Sequence, residues 1–327
     1  MVEAIELTAS GNDAGARLDV FLSLHLPISR SLAARIVEEG RVLVDGRAAK
    51  PSFRLKEGMR VSGTYHVPGD NVPLLSCDIP LDIVYEDQWI VVINKPAGLT
   101  VHPGAGNARF TLVNALLARY PEMRDAGDPE RPGIVHRLDK LTSGVMVVAR
   151  SSNVHAVLSA AFKTHEHLRE YLAICYGHMP HEQGTIETFI LRNPKDRKKM
   201  TSRADRGRKA ITRWKVIRQW KGFSLLRLTL ETGRTHQIRV HLYDRGHPVV
   251  GDVQYGGRKR AFGISDPDLR SRVKTLGRQM LHAATLGIIH PITGRYMEFE
   301  SDMPRDMKEL IEILDEKERA YGEAPSK

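Results

Sequence analysis

Asp139 is the acidic group around which chemistry could be organised. It stands in Pro132-Gly133-Ile134-Val135-His136-Arg137-Leu138-Asp139-Lys140-Leu141-Thr142-Ser143-Gly144, flanked by His136, Arg137 and Lys140. Cationic neighbours favour the carboxylate form of an aspartic acid. A carboxylate so placed can be a nucleophile, a base or a metal ligand, or simply a turn residue tied into a local ion pair. The string joins two apolar, strand-like runs, and loops on a rigid scaffold are where reactive groups are presented. A second string, ETGRTHQIRVHL from Glu231 to Leu242, carries Arg239. Arg239 can pair bidentately with a carboxylate, or merely solvate a sheet face.

Other chemistries find no support. There is no GxxxxGK[ST] loop, and His102-Pro103-Gly104-Ala105-Gly106 does not fit a dinucleotide fingerprint. The histidine pairs His165/His167, His178/His181 and His236/His241 have no thiolate or well-spaced carboxylate to complete a metal site, and HExxH is absent. No metal and no cofactor are expected. Cys77 and Cys175 alone cannot make a disulfide framework. Met1 to Ser10 lacks a basic stretch followed by an apolar one, and no run approaches the ~18 apolar residues of a membrane span. A cytoplasmic protein with no membrane partner is expected.

The charge is localised. The 327 residues carry 49 Lys and Arg against 39 Asp and Glu, a net charge of +10. Arg192 to Arg218 alone holds twelve Lys and Arg against two Asp, the same excess. Basic residues at that density suit a polyanion, because bound phosphates release condensed counterions. Met200, Ile211, Trp214, Val216 and Ile217 interrupt the run, which reads as hairpin material rather than a tail.

These groups need elements to hold them. A small unit is expected over 15–63. It has a helix around Leu18 to Leu24, then a helix over Ser31 to Glu39 capped by Ser29 and ended by Gly40. Strands follow at Val42 to Val44 and Met59 to Val61, with an Asp45-Gly46 turn. Residues 64–80, with Pro68, Gly69, Pro73 and Pro80, read as a linker. Residues 81–320 read as one large α+β domain, in which strands outnumber helices without regular alternation. That argues for a mixed, mainly antiparallel sheet with flanking helices. Thr235 to Leu242 reads as a strand, with Ile238 and Val240 on one face and Gln237, Arg239 and His241 on the other. Residues 256–277 read as a polar, basic insertion without assigned structure, and Met307 to Leu314 as a terminal amphipathic helix.

HRLDKLTSG with GRTHQIRVHL resembles the RluA family of RNA pseudouridine synthases. The similarity extends through PLDIVYEDQWIVVINKPAGLTVHPGAGN, REYLAICYGHM, GDVQYGG and RQMLHAATLGIIHPITG, and RLDVFLSLHLPISRSLAARIVEEGRVLVDG resembles an S4 RNA-binding domain. The resemblance implies a mixed, mainly antiparallel sheet with an active-site cleft, and isomerisation of uridines in 23S ribosomal RNA or a large-subunit precursor without a cofactor. It makes Asp139 the catalytic aspartate, Tyr171 the ring against the uracil, Arg239 the partner of the aspartate, and Arg137 the residue that fills the RNA stack. Arg30 and Arg35 in the S4-like unit, and Lys198 and Lys199 in the basic segment, are the expected phosphate contacts. A monomer is expected. A non-catalytic RNA-binding factor and a metal-dependent nuclease are the competing possibilities.

Overall fold

Alternating apolar residues close two separate sheets. The computed structural model describes residues 2–28, 30–66, 74–103, 110–164, 167–202 and 205–323. Ser29, the middle of the expected linker, Gly104 to Gly106 and His165 lie outside the described residues. The chain forms two units, Met1–Leu74 and Leu75–Lys327.

The first unit contains β1 (Val2–Thr8), α1 (Leu18–His25), α2 (Arg30–Glu38), β2 (Val42–Val44), β3 (Arg47–Ala48) and β4 (Arg60–His66). Its sheet runs β1-β4-β2-β3, antiparallel throughout. Leu18, Phe21 and Leu22 of α1 and Ala33, Ile36 and Val37 of α2 turn their apolar sides onto Ile5, Val42 and Val61 of the sheet. Asp45 and Gly46 both have positive φ, 48° and 74°, as a two-residue hairpin turn requires. Two features depart from expectation. β1 lies before the expected start of the unit, because its partner β4 is distant in sequence and no local pattern announces the pairing. β4 also continues to His66, so residues 64–66 belong to the sheet rather than to a linker. Gly63 permits this pairing: a Cβ there would sit 2.2 Å from the Arg41 carbonyl oxygen.

The second unit contains β5 (Ile83–Glu86), β6 (Ile90–Lys95), α3 (Leu112–Arg119), β7 (Ser143–Ala149), α4 (Ser152–Thr164), β8 (Leu168–Tyr176), β9 (Gln183–Arg192), β10 (Met200–Thr201) and β11 (Arg208–Trp220). After them come β12 (Phe223–Leu230), α5 (Gln237–Asp244), α6 (Gly257–Arg260), α7 (Pro267–Thr275), β13 (Leu281–Ile289), β14 (Tyr296–Glu300) and α8 (Arg305–Glu323). The strand order is β10-β9-β11-β12-β8-β13-β7-β6-β5, with β14 on β13. Only β13–β7 is parallel among these pairings, so the sheet is mixed and mainly antiparallel, as expected. No helix among the described residues is long and apolar enough to cross a membrane.

Two cores fix the sheet. Ile90, Val92, Val145 and Val147 pack with Val154 and Leu158 of α4. Ile174, Trp220 and Phe223 pack with Met307, Leu310 and Leu314, the apolar stripe of α8. Within the basic segment β11 pairs antiparallel with β9 on one side and with β12 on the other, the β12 pairing carrying a bulge between Val216 and Arg218. The insertion expected over 256–277 folds into α6, a 3-10 turn and α7. Asp266 caps α7 by accepting from the Leu269 N–H at 2.9 Å, and Leu269 and Val273 are buried in the α8 core.

The strand expected over Thr235 to Leu242 is a correction. Gln237–Asp244 is a helix, α5, entered through His236 in the left-handed region at φ 56°. Gln237 through Leu242 are all buried, so the segment has no exposed side to set a helical period. The alternation of apolar and polar residue types mimics a strand.

Candidate active site

The loop from Ile134 to Thr142 carries Asp139 and is held from three directions. Ile134 bridges Val148 of β7. The enclosed His136 ring accepts from the Val147 N–H through Nε2 at 3.1 Å and stacks on Phe162 at 4.5 Å. Burial, with Arg169 and His167 adding to it, lowers the His136 pKa to about 3, so the ring is a neutral acceptor there. Lys95, fully buried, donates through Nζ to the carbonyls of Pro96, Leu99 and Lys140 at 2.8, 3.0 and 3.2 Å. Burial pulls its pKa down to about 7 against the opposing pull of Asp139. Gln279 donates to the Thr142 hydroxyl at 3.1 Å, and the Thr142 N–H to the Asp139 carbonyl at 3.0 Å.

Arg239 reaches this loop from α5. Its Nη1 donates to Asp139 Oδ2 at 2.8 Å. The other edge is occupied: Nε donates to Asp252 Oδ2 at 2.6 Å, and Nη2 to Asp252 Oδ1 at 3.1 Å and Gln254 Oε1 at 2.9 Å. Asp252 is itself fixed, accepting from the backbone N–H groups of Gln254 and Tyr255 at 2.9 and 3.0 Å. The Tyr255 ring lies under the guanidinium, 4.9 Å from centroid to Cζ. Burial works against the charge, but the hydrogen bonds and charges of Asp252 and Asp139 hold the Arg239 pKa well above the ordinary arginine value. The fork is therefore a permanent cation with one edge already used, and its remaining donor sets the direction of the Asp139 carboxylate.

His236 completes the rim. Tyr255 Oη accepts from the Met200 N–H at 2.7 Å and lies 2.8 Å from His236 Nδ1. Burial raises the Tyr255 pKa to about 12, so its hydroxyl keeps its proton. Burial also lowers the His236 pKa despite the attraction of Asp139. Its Nε2 lies 3.8 Å from Asp139 Oδ1.

A cavity of about 380 Å³ opens beside these groups, lined by Arg137, Asp139, Tyr171, His236, Arg239 and Leu281 among others. That volume lies in the ~300–1,000 Å³ range of small-ligand sites. The structure thus brings Asp139, Tyr171, Arg239 and Arg137 to one cavity. Tyr171 stands on β8, 8% exposed, and burial raises its pKa. Arg137 is exposed. Lys198 and Lys199 do not line the cavity. Their loop is tied beside it, because Gln254 Nε2 donates to the Lys198 carbonyl at 2.5 Å, while Lys199 pairs with Asp196 at 3.6 Å. Arg30 and Arg35 are exposed on α2 of the first unit, and Arg30 pairs with Asp19 at 3.3 Å. Sequence reasoning named neither Asp252, Gln254, Tyr255 nor Lys95 for a role. Their only signals were the strings GDVQYGG and NKPAG. Among the described residues no three His, Cys, Asp or Glu side chains converge as a metal site.

Comparison with known proteins adds a lineage to this geometry. Residues 89–244 match the family described as RNA pseudouridylate synthase, and residues 16–61 match the S4 domain. Ribosomal large subunit pseudouridine synthase D of Escherichia coli (strain K12) is 42% identical over 318 residues, 96% of this chain and 96% of its own length. The uncharacterized RNA pseudouridine synthase YlyB of Bacillus subtilis is 40% identical over 95% of this chain and 98% of its own. Among solved structures, human RNA pseudouridylate synthase domain containing 4 superposes with a TM-score of 0.55 at 26% identity, covering 72% of this chain and 93% of that one.

Proposed function

Because this chain belongs to the family of RNA pseudouridylate synthases, we propose that it isomerises specific uridines of 23S ribosomal RNA to pseudouridine through Asp139, without a cofactor. The observation that carries this proposal is the contact between Asp139 and Arg239 at the wall of a cavity that Tyr171 also lines. The reaction breaks the C1′–N1 bond, turns the uracil and forms C1′–C5. It is redox-neutral and needs no energy input. Asp139 Oδ2 is held by Arg239, which leaves Oδ1 for the substrate, whether it attacks C1′, adds to the uracil ring or removes a sugar proton. Tyr171 offers a flat, enclosed ring face to a flipped base.

The substrate class rests on the relatives and on charge. The Escherichia coli relative is named for the large ribosomal subunit. The S4 domain and the basic segment from Arg192 to Arg218 suit RNA phosphates, with Arg30, Arg35, Lys198 and Lys199 as contacts. We place the activity in the cytoplasm, on ribosomal RNA or a large-subunit precursor, carried out by a monomer. A metal-dependent nuclease fits less well. Such an enzyme needs carboxylates that converge on paired metals, whereas Asp139 and Asp252 both turn to Arg239. The test maps carbodiimide-blocked uridines on 23S RNA from cells with and without this protein. One or a few stops should vanish in its absence, and identical maps would refute the assignment.

A paired uridine must leave its stack at a cost of a few kcal/mol, and the exposed Arg137 guanidinium can fill the gap. Arg137→Ala should slow pseudouridine formation at least tenfold more on a structured stem-loop than on a short unpaired strand, measured as initial rates. Equal losses on both RNAs would remove gap filling as its role.

A further inference from the structure

Arg169 stands on β8 two residues before Tyr171, and both side chains are buried on the face that lines the cavity. It is 8% exposed. Its one hydrogen bond among the described residues runs from Nη2 to the Leu230 carbonyl at 3.4 Å, and its Nε is enclosed with no partner. Among the described residues, the charged or ionisable groups it senses are Tyr171 and Arg234, neither of them a carboxylate. A guanidinium taken out of water without a counter-ion is costly to keep, which points to a strong acceptor that arrives with the ligand. Gly233 leaves the room it needs: a Cβ there would sit 2.4 Å from Arg169 Nη1.

Sheet register orders these groups. Ser143 and Gly144 of β7 pair with His282 and Ala283 of β13, so the Asp139 loop lies toward the Leu281 end of β13. Tyr171 pairs with Ala283, and Arg169 with Leu286, farther from that end. Tyr171 also senses both Arg169 and Asp139. The sequence along the wall is therefore Asp139, Tyr171, Arg169, the last two about 6.6 Å apart by strand rise. With C1′ at Asp139 and the ring on Tyr171, the far edge of a uracil points at Arg169.

We propose that Arg169 donates to a carbonyl oxygen of the target uracil, holding the base while it is detached. When C1′–N1 breaks, its electron pair leaves with the base and spreads onto O2 and O4, where a fixed cation stabilises it. C5 then bonds to C1′ and loses its proton, and N1 regains one. Arg169 keeps its protons throughout. Held at O4, the carbonyl opposite N1, the base is read as uracil, because cytosine would turn its N4 amino donors toward the guanidinium; held at O2, which cytosine shares, it is stabilised but not discriminated.

This inference rests on the pseudouridine synthase assignment, and the test separates the two. Wild-type protein and Arg169→Gln are compared in single turnovers on RNA carrying uridine, 2-thiouridine or 4-thiouridine at the target. Arg169→Gln should turn over uridine ten- to a hundredfold more slowly, with Kd within about twofold and an unchanged salt slope. One of the two thio-substitutions should slow the wild type at least fivefold and the variant less than twofold. Equal thio effects in both proteins would overturn the proposal. So would a weaker Kd with a salt slope shallower by about one, the mark of a phosphate contact. If Arg169→Gln fails to fold, Gly233→Ala, which crowds Nη1 and keeps the charge, carries the same comparison. A wild type inactive on every uridine removes both ideas, whereas an active wild type with uncoupled thio effects removes only this one.

Discussion

Asp139→Asn should abolish pseudouridine formation, by on the order of 10⁴-fold or more, while RNA affinity stays within a few-fold of wild type. The amide keeps the shape of the side chain and can still accept from Arg239 Nη1. It cannot attack C1′, add to the ring or take a sugar proton, so every route through the carboxylate closes together. A loss of that size corresponds to about 5.5 kcal/mol of barrier, far beyond the positional disturbance one amide introduces. The fold should weaken by only about 1–3 kcal/mol, the range for one charge-assisted hydrogen bond, because Asp139 is the solvent-facing partner and Arg239 retains Asp252. The measurement pairs single-turnover conversion of a large-subunit RNA fragment with a binding isotherm on the same fragment. Turnover within tenfold of wild type would refute a catalytic Asp139. Unchanged cellular modification would favour a protein that only binds RNA.

What could be read from the sequence depended on whether each group belongs to a contiguous string. Asp139 and Arg239 sit in short runs of mixed charge, and Tyr171 in a β-rich run, so residue type and spacing were enough to mark them. The contact between positions 139 and 239 spans a hundred residues and could be expected only from resemblance. Asp252 was not legible. Thirteen residues separate it from Arg239, and nothing local distinguishes an aspartate that clamps an arginine from one that caps a turn. Lys95 was missed for a related reason, since a lysine closing a strand is most often solvated, and only the three carbonyls around its Nζ show otherwise. The helix at Gln237–Asp244 illustrates a limit of periodicity. The Thr232 hydroxyl donates to Gln237 Oε1, and Gln237 Nε2 donates to the Ile211 carbonyl and the Thr212 hydroxyl of β11. These tertiary bonds pin the start of a helix whose residue types alternate like a strand. The mainly antiparallel sheet was easier, because it follows from many strand-length apolar runs without intervening helices.

Arg239→Met should be severe in stability as well as in activity, and the combination with Asp252→Asn should separate the two. Removing the guanidinium strands Asp252, whose side chain is 1% exposed, and a buried carboxylate without its cation costs about 3–5 kcal/mol. It also frees Asp139 to rotate. Conversion should then fall by at least about 10³-fold, roughly 4 kcal/mol of barrier. Asp252→Asn added to Arg239→Met removes the stranded charge, yet keeps an amide oxygen for the Gln254 and Tyr255 N–H groups. Urea unfolding should therefore show the double variant at least about 2 kcal/mol more stable than the Arg239→Met single variant, a coupling typical of contacting charged partners. Conversion should not recover, because Asp139 still lacks the donor that fixes its direction. Additive losses in stability would mean that the pair is not a unit. Recovered conversion in the double variant would mean that the arginine served the fold and not the carboxylate. An ion pair retained for stability alone can be replaced by neutral groups at little cost. This one is expected to fail that replacement in catalysis only, since its second carboxylate exists to leave a single guanidinium donor pointing at the first.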